Sequence, residues 1–476
     1  MNVTLQMSVS QLAAMWPAAY TRAMPRDDLV PPEAQIYAWI EEVFSQGVRR
    51  PGYPADRWAE QFCLEQFRSI GLENARAEPV ELPYWEPRAW SLTVQPQGGE
   101  AVSVPCFPLP HAAPTNGLEG DLAAFDWQAP DVRGRIALCD VRLGRLPYAA
   151  LAQRATSCYD PDGSFGDGAQ VLPFGRGAQA VMEPAIEAGA IGFVGTLTDY
   201  PSDSMQYYVP YDAIERPLPG VWVRGSDGAR LRELLSRGNV RARIAVDSVR
   251  RIETCYNIVG ELAGADDETV IVGSHHDGPW SSAVEDSSGI SLVLAQATYW
   301  SRVPQAERPH RLLFLLNAGH MCGGAGVHAF IDAHRQELER VVLELHLEHA
   351  ANECGERDGA LVATGQPEAR WWFTSRIEPL ESAVRATLEA EQLSRSFVLP
   401  PDAFAPWPTT DGGPFHAEGV PLVNFLTAPF YLFDEQDTLD KIHRPSLVPV
   451  TRAAVRLIEW TAGQTARGLR ENVRTS

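Results

Sequence analysis

The chain has 476 residues, of which 45% are hydrophobic and 21% are charged. This composition is typical of a soluble globular protein, and the length is enough for two or three domains. The 61 acidic residues outnumber the 40 basic ones and give a net charge of −21 at pH 7. This negative charge argues against nucleic acid or an anionic membrane as a binding partner.

The cysteines and the N-terminus indicate a cytoplasmic protein. The seven cysteines are scattered and form no C-x-x-C pair, which favours buried thiols in a reducing cytosol over disulfides or a cysteine zinc site. Residues 1–23 have no early positive charge, and Gln11 and Pro17 interrupt their apolar residues, so they do not resemble a secretory signal. No apolar run approaches the roughly 20 residues that a membrane span needs.

The predicted elements divide the chain into three regions, of which residues 1–85 and 86–250 are the first two. In the first region, apolar residues from Ala59 to Ile70 recur at helical spacing, and Gly71 ends the pattern. The second region changes to short apolar runs broken by proline and glycine. We therefore expect residues 1–85 to be the start of the main domain and residues 86–250 to be an inserted β-rich domain.

In residues 251–476, short apolar runs alternate with helical patterns. The runs have the length and composition of strands buried on both faces, and they are Val270 to Gly273, Leu312 to Leu316, Val341 to Leu347 and Pro421 to Leu426. Strands that alternate with helices predict an α/β/α sandwich with a mostly parallel central sheet. In such sheets, binding sites form where the strands end.

Three of these predicted strands end in groups of metal-binding residue types. The groups are His275, His276 and Asp277 with Glu285 and Asp286 in the loop that follows; Asn317 and His320; and His346, Glu348 and His349. One histidine at a sheet edge is usually a hydrogen-bonded surface residue. Three groups at neighbouring strand ends instead indicate a Zn, Mn or Fe site, in which Asp277 is spaced to orient the imidazole of His275.

Several motifs give the chain a resemblance to a known family. They are Asn257-Ile258-Val259-Gly260, His275-x-Asp277, Ala283 to Gly289, Gly323 to Ala329 and Asp437-Thr438-Leu439-Asp440-Lys441-Ile442. In these motifs the chain resembles the bimetallic aminopeptidases of clan MH, relatives of glutamate carboxypeptidase and glutaminyl cyclase. The resemblance implies a zinc-aminopeptidase-like fold. Gly134 to Cys139 and Ala188 to Gly192 resemble the protease-associated domain that is inserted in many members.

One metal position of the family has a counterpart for each ligand. The resemblance places His275 at the first histidine ligand and Asp277 at its orienting aspartate. Glu285 takes the place of the aspartate that bridges the two metals, and Glu348 takes the place of the aspartate after the third strand. These three ligands imply that one metal ion is retained.

The second metal position and the catalytic base depart from the family. Its Glu-Glu pair, a catalytic base followed by a metal ligand, falls on Gly319 and His320, and its last histidine falls on Phe433, or on Leu432 if the loop shifts by one residue. We therefore predict one metal ion, with His320 as a fourth ligand. Two imidazoles and two carboxylates suit Mn²⁺ best, with Zn²⁺ or Fe²⁺ as alternatives.

The missing base makes ordinary peptide hydrolysis a poor fit, because a positioned base contributes about 10²–10⁴-fold to the rate. Candidates for the proton transfer are His320, His349 and Asp286. Aromatic side chains near the site predict a flat apolar substrate pocket, and the candidates for substrate contact are Trp280, His416, Tyr431 and Phe433.

Three functions are compatible with these residues. The favoured one is hydrolysis of a C–N bond in a small non-peptide substrate, because a metal ion lowers the pKa of bound water to about 7. The resemblance includes one such precedent, an aminohydrolase of 5-nitroanthranilate, for which Arg311, Arg376 and Arg444 are candidates to bind the ring carboxylate. The alternatives are an aminopeptidase with a shifted base and a non-catalytic binding protein. The sequence leaves a homo-oligomer open.

Overall fold

The computed structural model describes residues 25–128, 131–174 and 181–473. The segment Met1–Ala23, which does not resemble a secretory signal, lies outside the described residues. Within the described ranges, no helix is long and apolar enough to cross a membrane.

The structure contains one large sheet of 15 strands and two small two-stranded sheets. In the described part of the chain, the strands are β1 (Glu73–Pro96), β2 (Val102–Val104), β3 (Phe107–Pro108), β4 (Thr115–Ala124), β5 (Ile136–Arg142), β6 (Arg145–Pro147), β7 (Ser157–Tyr159), β8 (Ala169–Val171), β9 (Gly192–Thr198), β10 (Gly220–Val223), β11 (Val240–Leu262), β12 (Thr269–His275), β13 (Arg311–Asn317), β14 (Val341–Leu347), β15 (Asn352–Arg357), β16 (Ala360–Pro367), β17 (Arg370–Thr374), β18 (Ser396–Leu399) and β19 (Leu422–Thr427).

The helices pack against this large sheet. They are α1 (Glu33–Phe44), α2 (Pro54–Ile70), α3 (Tyr148–Arg154), α4 (Glu183–Glu187), α5 (Gly225–Arg237), α6 (Gly289–Ser301), α7 (Ala325–Ala333), α8 (Glu378–Ala390), α9 (Gly412–Ala417), α10 (Arg444–Trp460) and α11 (Ala466–Val473). The predicted first helix is α2, and Gly71 ends it in the left-handed conformation that favours glycine.

Four parallel strands form the centre of the main domain, in the order β13, β12, β14, β19. The side chains of β12, β14 and β19 are buried throughout, which explains why their sequences are continuous apolar runs instead of alternating ones. Antiparallel strands β11 and β17 flank the four. The predicted α/β fold with a mostly parallel central sheet is confirmed.

Helix α6 connects the first two site-bearing strands through the core. Residues 289–300 are all buried, as expected of a helix that is apolar on almost every side. Helix α7 ends at Ala333, and a short 3-10 turn follows at Glu337–Arg340. The apolar spacing from about Gly326 to Leu338 predicts one longer helix. The structure differs because that periodicity continues through the turn that interrupts the helix.

Two long strands join the inserted region to the main domain. Strands β1 and β11 pair antiparallel over most of their length, and Trp85 lies opposite Arg250. The predicted domain boundaries at residues 85 and 250 therefore face each other within one continuous ribbon. Beyond the ribbon, β10, β9, β5 and β4 form a parallel part of the same sheet.

We predict that Phe314→Ala lowers the free energy of unfolding by about 3–5 kcal/mol, the range for removing a buried aromatic ring. Phe314 is fully buried in β13 and packs against Phe67, with 6.3 Å between ring centroids. Ile252→Ala is the matched control, because Ile252 is 65% exposed, and its effect should stay within about 0.5 kcal/mol. Urea unfolding of both variants measures this, and equal effects would contradict the assigned core.

Candidate metal centre and adjoining cavity

Three parallel strands end at one edge of the sheet, and the side chains that follow them meet there. His275 closes β12, His320 follows β13 and His349 follows β14, while Glu285 lies in the helical turn Ala283–Ser288 that precedes α6. All four side chains are at least nine-tenths buried. The strand ends bring them together because the carboxyl ends of parallel strands share one edge.

The carboxylate of Glu285 lies between the three imidazoles. Its Oε1 is 3.5 Å from Nε2 of His275 and 3.8 Å from Nε2 of His320, and its Oε2 is 2.7 Å from Nε2 of His349. The rings of His275 and His320 stack with centroids 4.1 Å apart and planes 9° apart. This arrangement directs three Nε2 atoms towards the same carboxylate.

Backbone carbonyl groups fix two of these rings through the other nitrogen. Nδ1 of His275 is 3.0 Å from the carbonyl oxygen of Asp277, and Nδ1 of His349 is 2.8 Å from that of Thr427. In both cases a proton on Nδ1 leaves Nε2 free to bind a metal ion. Burial and the imidazoles nearby lower the pKa of His275 well below its ordinary value, which keeps it in the neutral form that metal binding requires.

The carboxylate of Asp277 has a different role from the predicted one. It accepts hydrogen bonds from the backbone N–H groups of His320 at 3.0 Å and Met321 at 2.8 Å. Its Oδ1 is 3.8 Å from Nδ1 of His275, so the main chain of Asp277 orients that ring and its side chain holds the neighbouring strand end. The sequence spacing of His275 and Asp277 does not show whether the carbonyl or the carboxylate of Asp277 contacts the imidazole, because both groups belong to the same residue.

The carboxylate of Asp411 orients the ring of His320, as backbone carbonyl groups orient the rings of His275 and His349. Nδ1 of His320 lies 2.8 Å from Oδ1 of Asp411, which the sequence analysis did not assign a role. Burial by itself would lower the pKa of His320, but Asp411 and then Glu285 outweigh it and raise that pKa to about 10. A cation bound at Nε2 would oppose this protonation.

Glu348 stands apart from the cluster of His275, Glu285 and His320. Its Oε1 is 2.9 Å from Nε2 of His346, whose Nδ1 is 3.0 Å from Oε1 of Glu344. Burial raises the pKa of Glu348, but the imidazole of His346 outweighs burial and lowers that pKa to about 2. The predicted ligand set of four residues is therefore brought together as His275, Glu285 and His320, with Glu348 turned towards His346.

The donor atoms fit a divalent metal ion. Five buried atoms of His275, Glu285, Glu348 and His349 are among those that make no hydrogen bond of acceptable geometry in the described part of the chain, namely His275 Nε2, Glu285 Oε1 and Oε2, Glu348 Oε2 and His349 Nε2. Buried polar atoms of this kind are commonly satisfied by an ion or by water. The Nε2 atoms of His275 and His320 lie 3.5 and 3.8 Å from Oε1 of Glu285, close to the spacing of about 3.4 Å around a tetrahedral Zn²⁺.

Two further side chains hold the turn that carries Glu285. The carboxylate of Asp437 accepts hydrogen bonds from the backbone N–H groups of Val284 and Glu285, at 2.8 and 2.9 Å. Asp286 is not among the residues that line the cavity. Its Oδ1 accepts from the N–H of Gly289 at 2.9 Å, and its Oδ2 contacts the hydroxyl of Ser274 and lies 3.8 Å from Nε2 of His275. Ligand atoms of Asp286, His275 and His349 lie within 4.8 Å of one another. Burial, with Glu348 and Glu285 nearby, raises the pKa of Asp286 to about 7.

A cavity of about 240 Å³ opens beside this cluster. Its floor consists of Glu285, His320, Glu348 and His349, and its walls are mainly aromatic or apolar. The wall residues are Leu172, Pro173, Phe174, Tyr211, Trp371, Phe373, Pro401, Phe404, Ala405, Trp407, Pro408, Thr409, Thr410, Leu426, Ala428, Leu432 and Phe433. Both Leu432 and Phe433, the two candidates for the position of the family's last histidine, lie in the wall.

The other predicted substrate contacts lie elsewhere. Trp280 donates its indole N–H to the carbonyl of Phe433 at 3.0 Å, and Tyr431 donates its hydroxyl to the carbonyl of Asn352 at 2.7 Å. His416 lies in α9 beside Ser375. Only Phe433 of the four predicted contacts lines the cavity, because the other three side chains are used in packing and hydrogen bonds behind the wall.

The three arginines proposed for the ring carboxylate also lie outside this lining. Arg311 pairs with Glu261 and Glu337, Arg376 with Asp402, and Arg444 with Glu33. Of the residues that the structure describes, no Arg or Lys lines the cavity.

The resemblance assigns Gly319 to the position of the family's base, and the backbone at Gly319 suits glycine. Its φ is +69°, and a Cβ atom would lie 2.9 Å from Cδ2 of Leu82. A glutamate at residue 319 would therefore be strained as well as crowded.

Comparisons with known proteins identify the fold. Residues 257–458 match the model of Peptidase family M28. The fold is that of the M28 peptidases. The structure resembles a peptidase M28 precursor from Shewanella amazonensis (TM-score 0.68, 21% identity, 90% of this chain and 93% of that one). It also resembles a zinc aminopeptidase from Bacillus subtilis (TM-score 0.62, 17% identity, 89% and 95%).

The sequence relatives match this chain over a smaller share of their own length. The chain is 25% identical to a probable leucine aminopeptidase 2 from Aspergillus oryzae over 300 residues, 61% of this chain and 52% of that protein. It is 21% identical to mouse carboxypeptidase Q over 309 residues, 60% of this chain and 58% of that protein. The chain thus spans about half the length of the curated relatives that it matches. The fold is shared with the M28 peptidases.

We predict that His275→Ala and His320→Ala each lower the affinity for a divalent metal by more than the roughly 10–100-fold that loss of an outer partner costs. Metal content after gel filtration and chelator competition would measure this. His328→Ala is the matched control, since that histidine is exposed on α7, and it should bind metal as the unmodified protein does. Unchanged affinity in both site variants would exclude these residues as ligands.

Proposed function

We propose that this protein is a metal-dependent hydrolase that cleaves a C–N bond in a small substrate with a flat apolar group. The observation that carries the proposal is the cavity, which has imidazole and carboxylate groups as its floor and aromatic rings as its walls. Small-molecule sites commonly combine apolar walls with a few convergent polar groups. The zinc aminopeptidase of the same fold supports a divalent metal as cofactor.

A metal ion held by His275, Glu285 and His320 would supply Lewis acidity and lower the pKa of water. The residues of the chain provide the remaining functions. The aromatic walls exclude water and orient the substrate above the floor. His349 lines the cavity, its Nδ1 is 2.8 Å from the carbonyl oxygen of Thr427, and its Nε2 is 2.7 Å from Oε2 of Glu285, so it is the group best placed to move a proton.

The finer proposal is one metal ion and a non-peptide substrate. In the cluster, the carboxylate of Glu285 is surrounded by imidazoles. The negative charge of one carboxylate balances the charge of one dication better than that of two dications. Two nitrogen donors and one carboxylate suit Zn²⁺ or Fe²⁺ as well as the Mn²⁺ expected from the sequence. An aromatic amine of the 5-nitroanthranilate type fits the flat walls. Attack of water on the ring carbon would release the amino group as ammonia, and His349 would carry the proton from the water to the leaving amino group.

An aminopeptidase with a shifted base is the second candidate, and the comparisons favour it. The matched family is a peptidase family, and the relatives include a probable leucine aminopeptidase. The apolar walls would then receive the apolar side chain of an N-terminal residue. Glu348, whose Oε2 has no hydrogen-bond partner among the described residues, would be available for the amino group of the peptide.

We also propose that the inserted residues 86–250 are of the protease-associated type and complete the substrate cavity. Leu172, Pro173, Phe174 and Tyr211 come from this region and line the wall. Tyr211 stacks on Phe433, with ring centroids 4.7 Å apart. The insert therefore acts as part of the binding site in this proposal.

Turnover of two substrate panels would separate the candidates. We expect the metal-loaded protein to release ammonia from substituted anthranilates and to cleave leucine and phenylalanine anilides slowly or not at all. His275→Ala should abolish the reaction, because it removes a proposed ligand. Fast anilide cleavage with inert anthranilates would put the aminopeptidase first. No turnover of either panel, together with no metal binding, would support a non-catalytic protein.

We predict that Phe404→Ala raises KM about tenfold with little change in kcat. Phe404 lines the cavity, is 42% exposed, and stacks on Trp371 with centroids 5.1 Å apart. Loss of about 1.4 kcal/mol of ring contact corresponds to a tenfold change in affinity. Trp127→Ala is the control, since Trp127 is an exposed aromatic that does not line the cavity. A fall in kcat alone would contradict a binding role.

A further inference from the structure

We infer that Asp411 is a positioning residue that makes His320 a metal ligand by fixing which of its nitrogens faces Glu285. The inference rests on the proposed metal-dependent function, and it concerns a residue outside the ligand set. Asp411 ends the segment 400–411, which connects β18 to α9.

The contact between the two side chains is buried and well formed. Oδ1 of Asp411 is 2.8 Å from Nδ1 of His320, and the exposed fractions of the two side chains are 2% and 9%. The ring of His320 also stacks against His275 and against Tyr211, whose centroid is 5.6 Å away. Stacking sets the plane of the ring, and Asp411 sets its direction within that plane.

Asp411 has no competing role that would explain its burial. It precedes α9, but its side chain makes no capping hydrogen bond to that helix. Its Oδ2 is buried and has no hydrogen-bond partner among the residues that the structure describes. Burial of a carboxylate is costly unless the charge is compensated, and the partner that Asp411 has for this is the imidazole of His320.

The chemistry of the pair depends on a carboxylate. A carboxylate can only accept, so Nδ1 of His320 carries a proton, and a cation that displaced the proton of Nε2 would meet the lone pair of that atom on the side of Glu285. An asparagine of the same size can instead donate its amide N–H to Nδ1. The proton then moves to Nε2, which blocks the metal-binding atom, as the wrong tautomer does in other histidine–carboxylate pairs.

The same segment also carries part of the cavity wall. Phe404, Trp407 and Thr410 line the cavity, and the hydroxyl of Thr410 contacts Oδ1 of Asn424 in β19. Asp411 follows directly. A single stretch of chain thus holds both the apolar wall and the direction of a metal ligand.

The test is the metal affinity of Asp411→Asn, measured by chelator competition. We expect affinity to fall about 10–100-fold, the range for loss of an outer carboxylate partner, while the unfolding midpoint of the metal-free protein stays unchanged. The visible spectrum of the Co²⁺-loaded variant should shift towards that of His320→Ala. Asp402→Asn is the matched control, because Asp402 lies in the same segment but is exposed and pairs with Arg376.

A double variant shows whether Asp411 acts through His320. In the His320→Ala background, Asp411→Asn should cause no further loss of affinity, since coupled residues are not additive. Full additivity, or wild-type affinity in Asp411→Asn, would overturn the inference while leaving the proposed function intact. If Asp411→Asn lowered the unfolding midpoint of the metal-free protein as well as the metal affinity, Asp411 would have a structural role, and the inference would also be overturned. Failure of the unmodified protein to bind any metal would instead overturn the proposed function.

Discussion

The metal centre depends on a guanidinium group buried beneath the loop between β12 and α6. The side chain of Arg49 is fully buried and donates hydrogen bonds to the carbonyl oxygens of four residues in that loop, namely His276, Ser281, Ser282 and Glu285. A buried charge is stable only when it is hydrogen-bonded or paired, so the loop must keep its carbonyls directed at Arg49. With Asp437 holding the N–H groups on the other side, the main chain of Glu285 is fixed and its carboxylate lies among the imidazoles.

The charges at the candidate site are the basis for the proposal of a single dication. Glu285 lies among the stacked and convergent rings, and the charge of Glu348 is already matched by His346. The resemblance assigns His320 to the position of an acidic ligand, which would leave less negative charge to balance a second dication. In the same cavity, Phe433 stacks on Tyr211, and the resemblance assigns Phe433 to the position of the family's last histidine.

The sequence predicted the fold and the meeting of His275, Glu285 and His320 because both follow from parallel strands. Buried strands are continuous apolar runs, and their carboxyl ends share one edge. The direction of Glu348 could not be predicted, since it depends on the rotamer of one side chain. Asp411 was also missed as a partner of His320, because the two are 91 residues apart. Its position before two glycines gave only the signal of a turn.

The walls explain why the inserted region matters for the chemistry as well as for the fold. Tyr211 belongs to the insert, yet it stacks on both His320 and Phe433, and the backbone N–H of Tyr208 donates to the carbonyl of Phe433 at 2.8 Å. Tyr207 and Asp434 are joined by a β-bridge beside this contact. Ring stacking and a backbone hydrogen bond both join residues 86–250 to Phe433. A shift of these residues would therefore disturb the cavity wall and the ring of His320. The candidate metal site and the cavity wall are therefore built by the two regions together.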